Sequence, residues 1–363
     1  MSDELVALAQ RLIGYDTSEP EAISEAAGFV KGWLEARGIE AERDHVRGRP
    51  VIRAEVGPGS APTIVLEGHV DVVPGHPEQF QPRLEGDRLF GRGAYDMKGA
   101  LAAMMVVTAA MQGQDRVRVR LGIVGDEESE EGDERGCDHL VDSGFLGDFA
   151  ITGEPTDLHI GIEAKGVLAL RLEVGGRAAH GATPWLGDNA VLNAIDVFRT
   201  IESLPFARHS SELFDRPSIN LGRIWGGDAL NKVPDRCVID VDIRYLPGQD
   251  PAAILAEVAA IPLVSATALL TRPPATVDRD SPFVRELREA AAAHHHGDPM
   301  SVGRDGASDA VSFLRAGVPA VEFGPVGEGH HGPEEWVSIS SLHGYRQALE
   351  SFLRAIPGRL DDD

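Results

Sequence analysis

At 363 residues the chain is long for one hydrophobic core, so two domains are expected. Apolar residues make up 42% of it and no low-complexity tract interrupts it, which excludes a disordered or fibrous chain. A formal net charge of −24 argues against nucleic acid and anionic membrane as partners.

The opening Met1-Ser2-Asp3-Glu4 lacks the basic and apolar regions of a secretory signal, and no apolar run reaches the roughly 18 residues of a membrane span. Apolar residues recur at helical spacing over 2–14 and 21–37, and Gly38 is a good stop after the second run. Strands are expected at 50–56 and 63–70. The second leads into Gly68-His69-Val70-Asp71-Val72-Val73-Pro74. On extended backbone, residues two apart point to the same side, so the Asp71 carboxylate can sit beside the His69 ring and fix its tautomer. A metal-binding histidine is usually held this way, although a strand end where the two residues merely coincide has the same spacing.

The stretch 89–99 is a glycine-rich turn that opens onto a buried helix at 100–111. Strands at 118–124 and 149–152 end in Gly125-Asp126-Glu127-Glu128 and Gly153-Glu154-Pro155. Strands alternating with helices predict an α/β layer architecture, whose sites gather at strand ends. From about Gly161 the texture changes. A strand at 167–174, a helix at 189–203, strands at 217–224 and 237–245, a helix near 251–260 and a strand at 263–270 follow. That β-α-β-β-α-β order is the ferredoxin-like split unit, closed by Arg272-Pro273-Pro274. Helical spacing resumes at 281–293, 307–316 and 340–355, with a strand at 320–323. The expected layout is one α/β domain made from both ends of the chain, with a smaller α+β domain inserted. The two cysteines, Cys137 and Cys237, lie far apart and near no motif, which suits a reduced cytoplasmic protein. His294-His295-His296 follows a run of alanines and reads as a surface helix end.

His69, Asp96, Glu127-Glu128, Glu154 and His330-His331 each fall at the end of an apolar strand or in a tight turn. Histidine and carboxylate without cysteine suit zinc, and also cobalt or manganese. Two metals about 3.5–4 Å apart need a bridging ligand, and a carboxylate in a tight turn, such as Asp96, has two oxygens to offer. A hydrolytic site also needs a base that is not a ligand, and adjacent Glu127 and Glu128 diverge enough to supply one of each. Taken singly, each of these signals is weak and more simply explained as turn or solvated-loop chemistry.

Their joint order resembles the co-catalytic metallohydrolase family of succinyl-diaminopimelate desuccinylase, acetylornithine deacetylase, aminoacylase and carboxypeptidase G, over nearly the whole chain. The resemblance implies a zinc-exopeptidase-like three-layer catalytic domain from 1–163 and 273–363, with a ferredoxin-like lid and dimerisation domain at 164–272. It implies two divalent metal ions, zinc above all, with cobalt or manganese as substitutes. His69, Asp96, Glu128, Glu154 and His331 would be the ligands, with Asp96 bridging and Asp71 behind His69. The family pattern is a histidine with a glutamate four residues on and an apolar residue two beyond; His331 with Glu335 and Val337 fits it. Glu127 would be the general base, and the partner subunit's His180 would hydrogen-bond the oxyanion. Asn231 and Arg244 match the family's substrate-carboxylate contacts, and Gly306 and Ser308 belong to a turn lining the substrate pocket. Gly48-Arg49-Pro50 departs from the family's Gly-Arg-Asn, but no presumed ligand is missing.

The implied function is hydrolysis of the amide bond of a small N-acyl amino acid by a homodimer, of the desuccinylase or deacetylase type. A dipeptidase or carboxypeptidase of the same family is the alternative, and a non-catalytic metal-binding relative the alternative of another class. A dinucleotide enzyme, suggested by Gly91-Arg92-Gly93, fails because Asp96 stands where the third glycine belongs.

Overall fold

The computed structural model describes residues 3–129, 135–295, 299–306 and 308–362. The chain divides into two compact units: Met1–Ile162 with Val277–Val302 and Asp309–Asp363, and Glu163–Thr276 with Gly303–Ser308.

The first unit is built on a mixed sheet. Its strands run in the order Ala41–Val46, Arg49–Val56, Arg118–Val124, Thr63–His69, Phe149–Thr152 and Ala320–Glu322, followed by Ile160–Ala164. The four from Arg118–Val124 to Ala320–Glu322 are parallel. They are the apolar runs legible in the sequence, because a strand covered on both faces has no polar side. Strand alternation sorts their side chains. Val65, Val124 and Ala150 face the helices Gly136–Asp142 and Ala310–Arg315, meeting Cys137, Leu140 and Phe313. On the opposite face, a Cβ at Gly68 or Gly153 would strike the Met97 methyl group at 2.4 Å, with Leu101 or Ala100 behind it. The buried helix Gly99–Ala110 therefore lies directly against the sheet, which is why it carries no polar stripe. Helices on both faces make three layers. Parallel strands end on one side, so the residues after His69, Val124 and Thr152 emerge together.

Ala41–Val46 was not expected as a strand. It holds Glu42, Arg43 and Asp44, and among the described residues it pairs only with Arg49–Val56, at the sheet edge where charge is tolerated.

The second unit has the expected split order. Its antiparallel strands lie side by side as Ser218–Gly226, Arg236–Tyr245, Gly166–Gly175 and Val264–Arg272. Leu168, Leu170, Leu172 and Val174 alternate inward against Cys237, Ile239, Val241 and Ile243. Helices Ala190–Ile201 and Pro251–Ala259 cover them, with Asn189 and Asp250 accepting hydrogen bonds from the first backbone amides. Gly166 stands opposite Tyr245, whose hydroxyl donates to the Arg272 carbonyl at 2.8 Å. A Cβ at Gly166 would lie 2.3–2.7 Å from the tyrosine ring. Gly166→Ala is therefore expected to cost roughly 1–3 kcal/mol by overpacking, read as a lower denaturant midpoint at unchanged slope.

The segment carrying Gly306 and Ser308, expected with the catalytic part, groups with the inserted unit. The pairing of Ser301–Arg304 with Ile160–Ala164 carries the chain there, and the Lys165 ammonium then binds Asp305 at 2.7 Å. Ala307 lies outside the described residues. Among the described residues, no helix is long and apolar enough to cross a membrane.

Candidate metal centre

His69 ends its strand and is buried. Its Nδ1 is 2.9 Å from the Asp71 backbone carbonyl but 3.6 Å from the Asp71 carboxylate. The Asp71 carboxylate thus lies beside the ring, as expected, but beyond hydrogen-bond distance, so the expectation that it fixes the tautomer is corrected. The strand stops at His69, so residue 71 does not continue its alternation. The carbonyl fixes the ring, with Nδ1–H donating, and the carboxylate accepts from the backbone amides of Glu127 at 3.2 Å and Glu128 at 2.9 Å. Asp71 thereby couples the His69 strand end to the loop bearing both glutamates. Buried Asp126 anchors that loop from the other side by accepting from the Gly136 amide at 2.9–3.0 Å.

Two groups of potential ligands meet at Asp96. His69, Asp96 and Glu154 form one, and Asp96, Glu128 and His331 the other; within each, the ligand atoms lie within 4.8 Å of one another. Asp96 turns Oδ1 to His69 Nε2 and Oδ2 to His331 Nε2, each at 3.3 Å. Glu154 approaches His69 Nε2 at 3.5 Å and Glu128 approaches His331 Nε2 at 2.8 Å. His331, and not His330, reaches the carboxylates; the His330 ring packs between His331 and Tyr95. Glu127 belongs to neither group.

The residues fit divalent cations. Imidazole and carboxylate donors converge from strand ends and turns far apart in the sequence, one carboxylate serves both groups, and no thiolate takes part. Three carboxylates face two imidazoles, a surplus of negative charge that a cation offsets.

A buried ion pair holds the Asp96 turn, and residue order alone did not reveal it. Glu335 accepts from Arg92 Nη1 at 2.8 Å and from the backbone amides of Tyr95 and Asp96 at 3.0 and 3.1 Å. Arg92 also donates to the His331 carbonyl at 3.2 Å. The place of Glu335 four residues after His331 was the one signal for it.

Burial pushes the Glu127 carboxyl well above its ordinary range, and Glu154, Asp309 and Glu128 add to the effect. Burial with Asp96 nearby raises Glu154 to about 7. Burial alone would raise Asp96 too, but hydrogen bonds from His331 and His69 drive it below the usual carboxylate range. Asp96 and Glu128 raise His331 from 6.5 to about 10. The sign follows. In the metal-free protein, the stabilisation from this pairing is complete below pH 6.5 and disappears as pH rises through about 10. A cation entering at neutral pH must displace that proton. Metal loading at pH 7.5 is therefore expected to release protons, giving binding enthalpies that shift with the ionisation enthalpy of the buffer. Equal enthalpies across buffers would contradict this.

The remaining candidates lie in the second unit. His180 bridges to Lys232, and the Gly181 amide donates to the Asn231 carbonyl at 2.7 Å, so His180 and Asn231 share one loop pair. Arg244 directs Nε to the Asp242 carboxylate at 3.0–3.1 Å. Gly306 is exposed and Ser308 buried.

The sequence profile of peptidase family M20/M25/M40 matches residues 65–355. The chain is 32% identical to the succinyl-diaminopimelate desuccinylase of Acidiphilium cryptum (strain JF-5), over 88% of this chain and 86% of that one. It is 30% identical to that of Gluconobacter oxydans (strain 621H), over 96% of both. The M20 family metallo-carboxypeptidase Sso-CP2 of Sulfolobus solfataricus shares the fold, with a TM-score of 0.81 at 20% identity over 98% of this chain and 99% of that one. This protein is a member of peptidase family M20/M25/M40.

Proposed function

We propose that the protein hydrolyses the amide bond of small N-acyl amino acids, of the succinyl-diaminopimelate desuccinylase or acetylornithine deacetylase type. The observation that carries this is the sharing of Asp96 between two ligand groups, with Glu127 in neither but close enough to interact with His69, Glu154 and Glu128. His69, Asp96 and Glu154 would hold one divalent ion, and Glu128 and His331 with Asp96 the other, zinc in both positions. Such ions supply a water of lowered pKa and Lewis-acid polarisation of the acyl carbonyl. Glu127 takes the proton of the attacking water and passes it to the leaving amine. Asp71 holds the backbone of Glu127 and Glu128 so that adjacent carboxylates keep different tasks. Arg244 and Asn231, with the turn at Gly306 and Ser308, would bind the substrate carboxylate. The partner subunit's His180 would donate to the oxyanion, which makes a homodimer the working unit. We place the protein in the cytoplasm, in keeping with its two free cysteines.

Identity of about 30% to two desuccinylases favours an acyl amino acid over a dipeptide. A peptidase reading has the fold likeness to a metallo-carboxypeptidase behind it. The expected result with metal-loaded protein is hydrolysis of N-succinyl or N-acetyl amino acids above any dipeptide, abolished by chelation and restored by zinc or cobalt. Preference for dipeptides would turn the assignment to the peptidase, and inactivity on every substrate with both ions bound would favour a non-catalytic relative.

A further inference from the structure

A third group of potential ligands lies apart from the two that meet at Asp96. Glu67, two residues before His69 on the same strand, shares a buried pocket with Cys137 of helix Gly136–Asp142 and Asp309 at the start of helix Ala310–Arg315. Their ligand atoms lie within 4.8 Å of one another, and the three residues are only 2%, 0% and 3% exposed. The group shares no residue with the other two. Among the described residues, Glu67 Oε1 has no hydrogen-bond partner although it is buried. A buried carboxylate oxygen without a donor is costly unless a cation or a proton meets it. The pocket gathers three groups that are anionic when deprotonated.

We propose that Glu67, Cys137 and Asp309 form a third, fully buried cation site for zinc or cobalt. One thiolate and two carboxylates match the donor preferences of these ions, with metal–sulfur distances of about 2.3 Å and metal–oxygen distances of about 2.0–2.2 Å. Burial, with Asp309 and Glu67 alongside, raises the Cys137 thiol well above its ordinary range, a cost that a bound cation would offset. On binding, Cys137 gives its proton to solvent and its sulfur lone pair to the ion. The site ties one strand and two helices, distant in sequence, directly beneath the His69 strand end. It is buried and supplies three protein donors, one short of the four of a structural zinc site.

Cobalt reads this site separately from the others. A thiolate bound to cobalt gives intense charge-transfer absorption in the near ultraviolet, whereas the groups meeting at Asp96 contain only nitrogen and oxygen. Full-length protein stripped by chelator and titrated with cobalt is expected to develop that band and to retain three equivalents after desalting. Cys137→Ser should remove the band and one equivalent. Glu67→Gln, which keeps the thiol, should lose the same equivalent. A wild-type protein that saturates at two equivalents without the band overturns the proposal, and needs no variant to do so. A band that survives Cys137→Ser overturns it as well. Amide hydrolysis at two equivalents reports on the proposed activity independently.

Discussion

Replacing Glu127 with glutamine is expected to lower turnover about 100- to 10,000-fold, the range of a lost general base. Metal content and KM should stay close to those of the wild type. Glu127 lies outside both ligand groups, so its loss removes no donor. What fixes its position is backbone: its amide is held by Asp71 at 3.2 Å, and glutamine keeps that contact. Glutamine also keeps the size of the side chain while removing its capacity to take a proton. Burial raises the Glu127 carboxyl, which suits a base that must later release the same proton to a leaving amine. Single-turnover kinetics on metal-loaded protein, with metal content determined on the same sample, check the prediction. A variant within tenfold of wild type, or one that has lost a metal equivalent, would remove Glu127 from this role.

Glu335→Ala is expected to destabilise the protein by about 3–5 kcal/mol, because it strands the Arg92 guanidinium without a counter-charge inside the fold. Arg92 and Glu335 are 3% and 1% exposed. The same change leaves the backbone amides of Tyr95 and Asp96 without their acceptor. The Asp96 turn loses its anchor, so metal content should fall together with stability. The double variant Arg92→Met, Glu335→Leu separates the two effects. Apolar residues of similar volume often replace a buried pair at little cost, so denaturant stability should recover toward wild type while metal occupancy stays low. Recovery of both would mean that the pair serves packing alone.

Much of the architecture was legible because it follows local rules. The central parallel strands are apolar throughout, and the strands Gly166–Gly175 and Arg236–Tyr245 alternate with period two. What escaped notice was short or polar. The edge strand Ala41–Val46 is charged, helix Gly136–Asp142 spans only two turns, and the small sheet of Arg83–Glu85, Arg88–Phe90, Gly327–Glu328 and Trp336–Ser338 uses strands of two or three residues. Such segments have no periodicity to read and depend on their partners for stability.

The donor chemistry and the order of the donors can be read along the chain: His69, Asp96, Glu127-Glu128, Glu154 and the histidine pair at 330–331, each after an apolar run or in a glycine turn. Order fixes which residues are available, because parallel strands must deliver their ends to one side. Tertiary structure decided what each side chain touches. It turned one Asp96 oxygen to each histidine, brought His331 to Glu128 and left His330 against Tyr95. It redirected the Asp71 carboxylate from the His69 ring to two backbone amides, and set Glu335 against Arg92 beneath the Asp96 turn. It also gathered Glu67, Cys137 and Asp309 from three distant segments. Spacing along a chain specifies direction only while a regular element lasts. Beyond the end of a strand or inside a turn, hydrogen bonding to groups hundreds of residues away sets the geometry, and no local pattern encodes it.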